Sequence, residues 1–219
     1  MRHYRFLSKL AGRRGYWVRT PWWVKQFFRS YTWQLAARGR EIYLSFDDGP
    51  HPEVTPFVLD CLHQANAKAS FFCIGKNVEL YPEIFSRIVS EGHTAGNHSY
   101  SHPDGWKMDV DAYVDDVQRS AQLVGAPLFR PPYGRITSRQ AARVRGFSTI
   151  VMWTVLSGDF DSRITAEECA NNVKQYAAPG SIIVFHDSEK AFPRLRYALP
   201  SVLDELGKLG YVFKAMPYV

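Results

Sequence analysis

The first forty residues contain no Asp or Glu; the first acid is Glu41. Ten Lys or Arg occupy the same stretch, so the leader carries +10, while the 219-residue chain as a whole carries only +6. Residues 41–219 therefore net −4. The basic surplus belongs to one end, which suits an anionic partner there and not nucleic-acid recognition by the main domain. Long apolar runs are missing as well. Nothing approaches the ~20 apolar residues of a membrane span. No apolar run of about 7–15 residues follows the basic start, as a secretory signal requires; Arg13, Arg14, Arg19, Lys25 and Arg29 break every candidate. Serine is scarce in the leader, with only Ser8 and Ser30, which argues against an organellar transit peptide. The expectation is a cytoplasmic protein, with peripheral contact at the inner membrane face.

Cysteine is sparse too. Cys61, Cys73 and Cys169 are odd in number, widely spaced and without a C-x-x-C pair, and read as small buried apolar residues of a reducing compartment. The G-x-S-x-G elbow, the phosphate-binding G-x-x-x-x-G-K-[ST] and the dinucleotide G-x-G-x-x-G are all absent, which points away from serine-nucleophile and nucleotide chemistry.

What is present is ordinary bulk for one large domain, 46% apolar and 22% charged, with aromatics high at 15%. Residues 1–40 form an aromatic-rich basic segment holding Trp17, Trp22, Trp23 and Trp33, four of the six tryptophans. Thr20-Pro21 reads as a helix start, and Trp23, Val24, Phe27, Phe28, Tyr31 and Leu35 then fall at helical spacing, opposite Lys25, Gln26, Arg29 and Ser30. Such an amphipathic helix either lies on an anionic membrane through residues 16–35 or packs its apolar face on the main domain.

From residue 41, strand patterns at 42–46, 69–74, 93–97, 128–130, 149–155, 181–185 and 211–214 alternate with helix patterns near 53–66, 81–91, 109–124, 138–145, 165–177 and 194–209. Single helices between strands predict βαβ units and a parallel sheet. Gly92, Gly125, Gly146, Gly180 and Gly210 mark helix ends. The polar residues Asp47, Asp48, His98, His102, Arg130, Asp159, His186 and Asp187 all follow strand patterns. That places them on the carboxyl rim, where α/β sheets and barrels build their sites. His98 and His102, at i and i+4, can face one metal if the stretch is helical or tightly turned, and with a carboxylate they make a three-ligand set suited to Zn²⁺ or another divalent first-row metal.

Asp47-Asp48-Gly49-Pro50, His98-Ser99-Tyr100-Ser101-His102, Arg130-Pro131-Pro132-Tyr133-Gly134 and Val184-Phe185-His186-Asp187 resemble, in order and spacing, motifs of the polysaccharide deacetylase family, the NodB-like carbohydrate esterases. The resemblance spans roughly residues 41–214. It implies an α/β fold, a distorted (β/α) barrel of about seven parallel strands, with a catalytic domain over 41–219. It also implies roles: Asp48, His98 and His102 as metal ligands, Asp47 as general base paired with Arg130, the Tyr133 N–H as oxyanion donor, and His186 as general acid oriented by Asp159. Zn²⁺ is the first choice of metal, with Co²⁺, Mn²⁺ or Ni²⁺ as alternatives. Pro131, Tyr133, Phe160, Phe185 and Trp106 are the candidate substrate contacts, with Phe160 and Phe185 facing across a slot for the acetyl methyl and Trp106 either stacking on a sugar or anchoring its loop. The sequence departs from the family at Leu156, where an Asp is common, and at Phe160, where a Trp is common. The implied reaction removes acetyl from an N-acetylated amino-sugar glycan. An O-acetyl carbohydrate esterase, a cyclic amidase and a catalytically silent glycan-binding or membrane-docking protein are the alternatives.

Overall fold

The structure is a computed structural model and describes residues 15–218. The sequence reading of residues 1–14 lies outside the described part. Seven parallel strands form the body: β1 (Glu41–Asp47), β2 (Ala69–Cys73), β3 (Thr94–Asn97), β4 (Leu128–Phe129), β5 (Thr149–Ile150), β6 (Val155–Leu156) and β7 (Ile182–His186). Their spatial order is β5-β4-β3-β2-β1-β7-β6, and β8 (Val212–Phe213) pairs beside the start of β1. The sheet is thus a curved half-barrel, open between β5 and β6.

The central strands are buried on both faces, as parallel strands under helices must be. Alternation along each strand sorts the side chains into two layers. Leu44, Phe46, Phe71 and Phe185 point outward into the main core. There they meet α2 (Val54–Gln64), through Leu59 and Leu62, and α8 (Phe192–Lys208), through Leu199 and Val202. Tyr43, Phe72, Leu128, Val151 and Ile182 fill the concave side. The other covering helices are α3 (Gly75–Leu80), α4 (Pro82–Ser90), α5 (Val110–Val124), α6 (Ser138–Val144) and α7 (Ala166–Tyr176). Capping boxes Thr137/Gln140 and Thr165/Glu168 start α6 and α7 by satisfying amide donors at the helix ends.

Two expectations need correction. The apolar stretch 149–155 is not one strand: the chain leaves β5 at Ile150, crosses the opening through Met152 and Trp153, and enters β6 at Val155. The leader helix α1 spans only Trp22–Phe27, with Pro21 as N-cap, and ends before Tyr31. The physical reason is the unpaired edges of β5 and β6. Thr20 N–H donates to Thr154 O at 2.9 Å and Leu156 N–H to Val18 O at 2.8 Å; on the other edge Thr32 N–H donates to Ile150 O at 2.8 Å and Met152 N–H to Thr32 O at 2.7 Å. A sheet edge supplies these residues with hydrogen bonds that continued helix could not give while also closing the opening. Residues 16–35 therefore form a strap across the half-barrel. Val24 and Trp33 are buried beneath it against Tyr113, Phe129 and Met152, whereas Trp22 and Phe27 are 72% and 79% exposed.

Candidate active site

Strand register assembles the site. Asp47 ends β1 and His186 ends β7, and the two are Cα partners in the parallel ladder. Directly paired residues share a face, so both side chains turn to the concave side. Arg130 follows β4 and is fully buried. Its Nη1 donates to Asp47 Oδ1 at 2.6 Å and to Ser45 Oγ at 2.8 Å, while Nε and Nη2 reach the Val151 and Met152 carbonyls at 3.3 and 3.2 Å. The guanidinium lies 4.0 Å from the Phe72 ring centroid. Every edge of this cation is occupied, which is what a buried arginine needs to remain in place.

Asp48, His98 and His102 form a cluster whose ligand atoms all lie within 4.8 Å of one another. Asp48 Oδ1 is 3.7 Å from His98 Nε2 and 3.2 Å from His102 Nε2. The His98–His102 spacing works through a tight turn, not a helix. Asn97 Oδ1 accepts Ser99 N–H at 2.8 Å and Ser99 Oγ accepts His102 N–H at 3.1 Å. Asp116 on α5 accepts from Tyr100 N–H at 2.8 Å and from Ser101 Oγ at 2.6 Å. Asp48, Ser99, His102 and Tyr133 all have left-handed backbones, with φ of 83°, 66°, 57° and 58°. Four non-glycine residues in this sparsely populated region, gathered at one rim, mark a backbone held for function.

His98 Nδ1 donates to the Arg130 carbonyl at 2.8 Å. A carbonyl only accepts, so Nδ1 holds the proton and Nε2 offers its lone pair to the cluster. Burial pushes His98 down to about 4, against the pull of Asp47. Burial would raise Asp48, but the hydrogen bond from His102 and the charges of His186 and His98 hold its carboxyl well below the usual range. His186 is different again. Its Nδ1 donates to Asp159 Oδ1 at 2.8 Å and its backbone N–H to Asp159 Oδ2 at 2.6 Å. Burial opposes its charge, yet Asp159, with Asp48 and Asp47 nearby, pushes the imidazole up to about 10. One face thus holds an ionised carboxylate–imidazole cluster and a protonated imidazole together.

A model of the polysaccharide deacetylase family matches residues 35–148. The chain belongs to the polysaccharide deacetylase family. It is a hydrolase, a polysaccharide N-deacetylase of carbohydrate esterase type. The deacetylase is 37% identical over 217 residues to a peptidoglycan-N-acetylglucosamine deacetylase of Bacillus cereus, a match covering 94% of this chain and 77% of that one. It is 36% identical over 155 residues to a chitooligosaccharide deacetylase of Azorhizobium caulinodans, covering 67% and 73%. Among solved structures it superposes on the Bc1960 peptidoglycan N-acetylglucosamine deacetylase, bound to 4-naphthalen-1-yl-N-oxidanyl-benzamide, with a TM-score of 0.81 and 34% identity over 89% of this chain and 94% of that one.

Other sequence-derived site residues of the deacetylase fall as follows. Tyr133 is 62% exposed at the rim, with its ring 4.7 Å from that of His102. Trp106 lies under the Arg135 guanidinium at 4.9 Å. Pro131 is buried, and its carbonyl accepts Gly134 N–H at 2.9 Å, so it shapes the turn beneath Tyr133. Phe160 packs edge-on to His186 at 5.3 Å. Phe185 does not face it. It is fully buried in the outer core, stacked 6.0 Å from Phe46. The correction follows from strand parity, since the neighbour of an inward His186 must point outward.

Two residues of the site, Asp116 and Tyr16, escaped the sequence reading. Asp116 pins the histidine turn. Asp187, already placed on the rim by the strand pattern, accepts Gly49 N–H at 3.0 Å and Thr55 Oγ1–H at 2.5 Å, fixing the turn that follows Asp48. Tyr16 of the strap packs 5.1 Å from Phe160 and donates to Asp161 at 3.2 Å. The i, i+4 and strand-end rules see only residues on the rim strands. A buried anchor arriving from a neighbouring element leaves no local pattern.

Proposed function

We propose that the chain removes acetyl groups from N-acetylglucosamine-type residues of a peptidoglycan- or chitin-like glycan with the aid of a divalent metal. The observation that carries this reading is the joining of Asp47–Arg130, Asp48–His98–His102 and Asp159–His186 at the carboxyl ends of strands of one sheet. The names of the relatives support the glycan class.

Asp48, His98 and His102 fit a metal: they supply one ionised oxygen and two imidazole nitrogens, and the His98 tautomer is already set. When bound there, a divalent ion supplies Lewis acidity to the acetyl carbonyl and to the attacking water. Zn²⁺ is our choice, on the nitrogen and oxygen composition of the set. Asp47 accepts the proton of the attacking water, held in place by Arg130. The Tyr133 N–H stabilises the oxyanion as oxygen bonds to the acetyl carbon. His186 hands the proton on its second ring nitrogen to the nitrogen as the C–N bond breaks. Acetate and a free amine leave. The base and the acid differ by environment, an arginine-paired carboxylate against a carboxylate-supported imidazole, so both serve at one pH.

The exposed Trp22 and Phe27 on α1, within the acid-free leader, support contact with an anionic lipid surface. The activity is tested by measuring acetate release from N-acetylglucosamine oligomers and from peptidoglycan, with metal content determined on the same sample.

A further inference from the structure

We infer that the strap is a substrate-binding element: with the rim loops it forms a subsite for sugar rings lying beyond the acetylated residue. This rests on the deacetylase reading above and adds to it. A groove of about 480 Å³ runs between strap and rim. Trp17 and Trp33 line it from the strap, Trp106, Tyr133 and Arg135 from the rim loops, and Leu156 from β6.

The groove is continuous with the reacting centre at two points. Tyr133 lines it and packs 4.7 Å from His102. Tyr16 also lines it and packs on Phe160, which in turn packs on His186 at 5.3 Å. A glycan whose acetyl group sits between His102 and His186 therefore has a path for its next rings along the strap. The lining suits a pyranose. Flat aromatic faces take the apolar C–H face of a sugar, and a few convergent polar groups take its hydroxyls. Here those groups are Arg135, 4.9 Å from the Trp106 ring centroid, and Asp104, 2.5 Å from Arg135. Backbone pairing of Val18 with Leu156 and of Thr20 with Thr154 holds the strap in register with β6. The rings are thus presented from a fixed ladder and not from a free loop. Leu156 adds an apolar surface to the groove on the β6 side.

The test compares N-acetylglucosamine dimer and hexamer as probes on the full chain. In the unsubstituted, metal-stripped protein, hexamer but not dimer should slow amide hydrogen exchange at residues 16–20 and 104–107. In the metal-loaded protein, Trp17→Ala should lower the hexamer-to-dimer ratio of kcat/KM by roughly tenfold, and Trp17→Phe should restore most of it. Exchange unaffected by hexamer, or a hexamer-to-dimer ratio that Trp17→Ala leaves as it was, overturns the inference. If Trp17→Ala does not fold, the exchange comparison on the unsubstituted chain decides alone. Hexamer protection of the strap without acetate release from either probe would sustain the subsite and overturn the deacetylase reading. Acetate release without protection would do the reverse.

Discussion

The Asp187 carboxylate holds Gly49 from beneath, accepting its N–H at 3.0 Å while Thr55 donates to the second oxygen at 2.5 Å. Gly49 directly follows Asp48, whose backbone is left-handed at φ 83°. Asp48 thus stands where it does because a fully buried acid anchors the next peptide. Asp187→Ala should weaken metal binding by roughly 10–100-fold, the usual effect of losing a residue that orients a ligand. Titration calorimetry of the stripped protein checks this. Gly49→Ala should be worse, since a Cβ there would sit inside contact distance of Asp187.

Arg130 and Asp47 form a buried ion pair at 2.6 Å. Removing either partner alone strands the other. Arg130→Met should cost about 3–5 kcal/mol of stability, read as a fall in denaturation midpoint. Asp47→Asn keeps the shape and removes the proposed base. It should retain its metal and lose roughly 10²–10⁴-fold in kcat.

The two tuned histidines bear on pH dependence. As the proposed acid His186 must be protonated, and against its burial Asp159 pushes it up to about 10. Activity should therefore persist into the alkaline range. Asp159→Asn removes the charge that raises it, so the alkaline limb of kcat/KM should move to lower pH, with activity lost more at pH 9 than at pH 6. An unmoved limb would show that His186 does not govern it. His98 runs the other way. Its folded value, about 4, lies below the ordinary 6.5. The unfolded chain thus binds the extra proton first, and the stability this residue contributes is present above pH 6.5 and lost as pH falls through 4. An acid unfolding limb that His98→Gln moves to lower pH checks the sign.

Trp22 and Phe27 stand exposed on the strap. Replacing both with serine should reduce co-sedimentation with anionic lipid vesicles and leave deacetylation of soluble oligomers intact, because neither residue lines the groove or the site.

The strand-end rule placed Asp47, Asp48, His98, Arg130 and His186 on one rim without coordinates, because parallel βαβ order fixes which strand ends share a face. Register then did what sequence could not, setting Asp47 beside His186. Phe185 was misjudged by counting it with its motif instead of by parity; an inward His186 already implied an outward neighbour. The leader failed for a different reason. Its aromatics at three- and four-residue steps look helical, but the edges left free at β5 and β6 are a tertiary fact, and they draw residues 16–20 and 32–35 into extended pairing. Asp116 acts from α5 on a turn outside its own helix, so no local spacing announces it, and the rim position of Asp187 carries no sign of the Gly49 turn it anchors.

We propose that the Asp48–His98–His102 cluster is a metal centre serving amide hydrolysis. Its most direct test measures acetate release from N-acetylglucosamine oligomers by the stripped, the Zn²⁺-reloaded and the His98→Ala protein, with metal bound per chain determined in each. Activity should be absent when stripped, restored in proportion to one metal per chain, and absent together with metal in His98→Ala. Undiminished turnover by the stripped protein would contradict it.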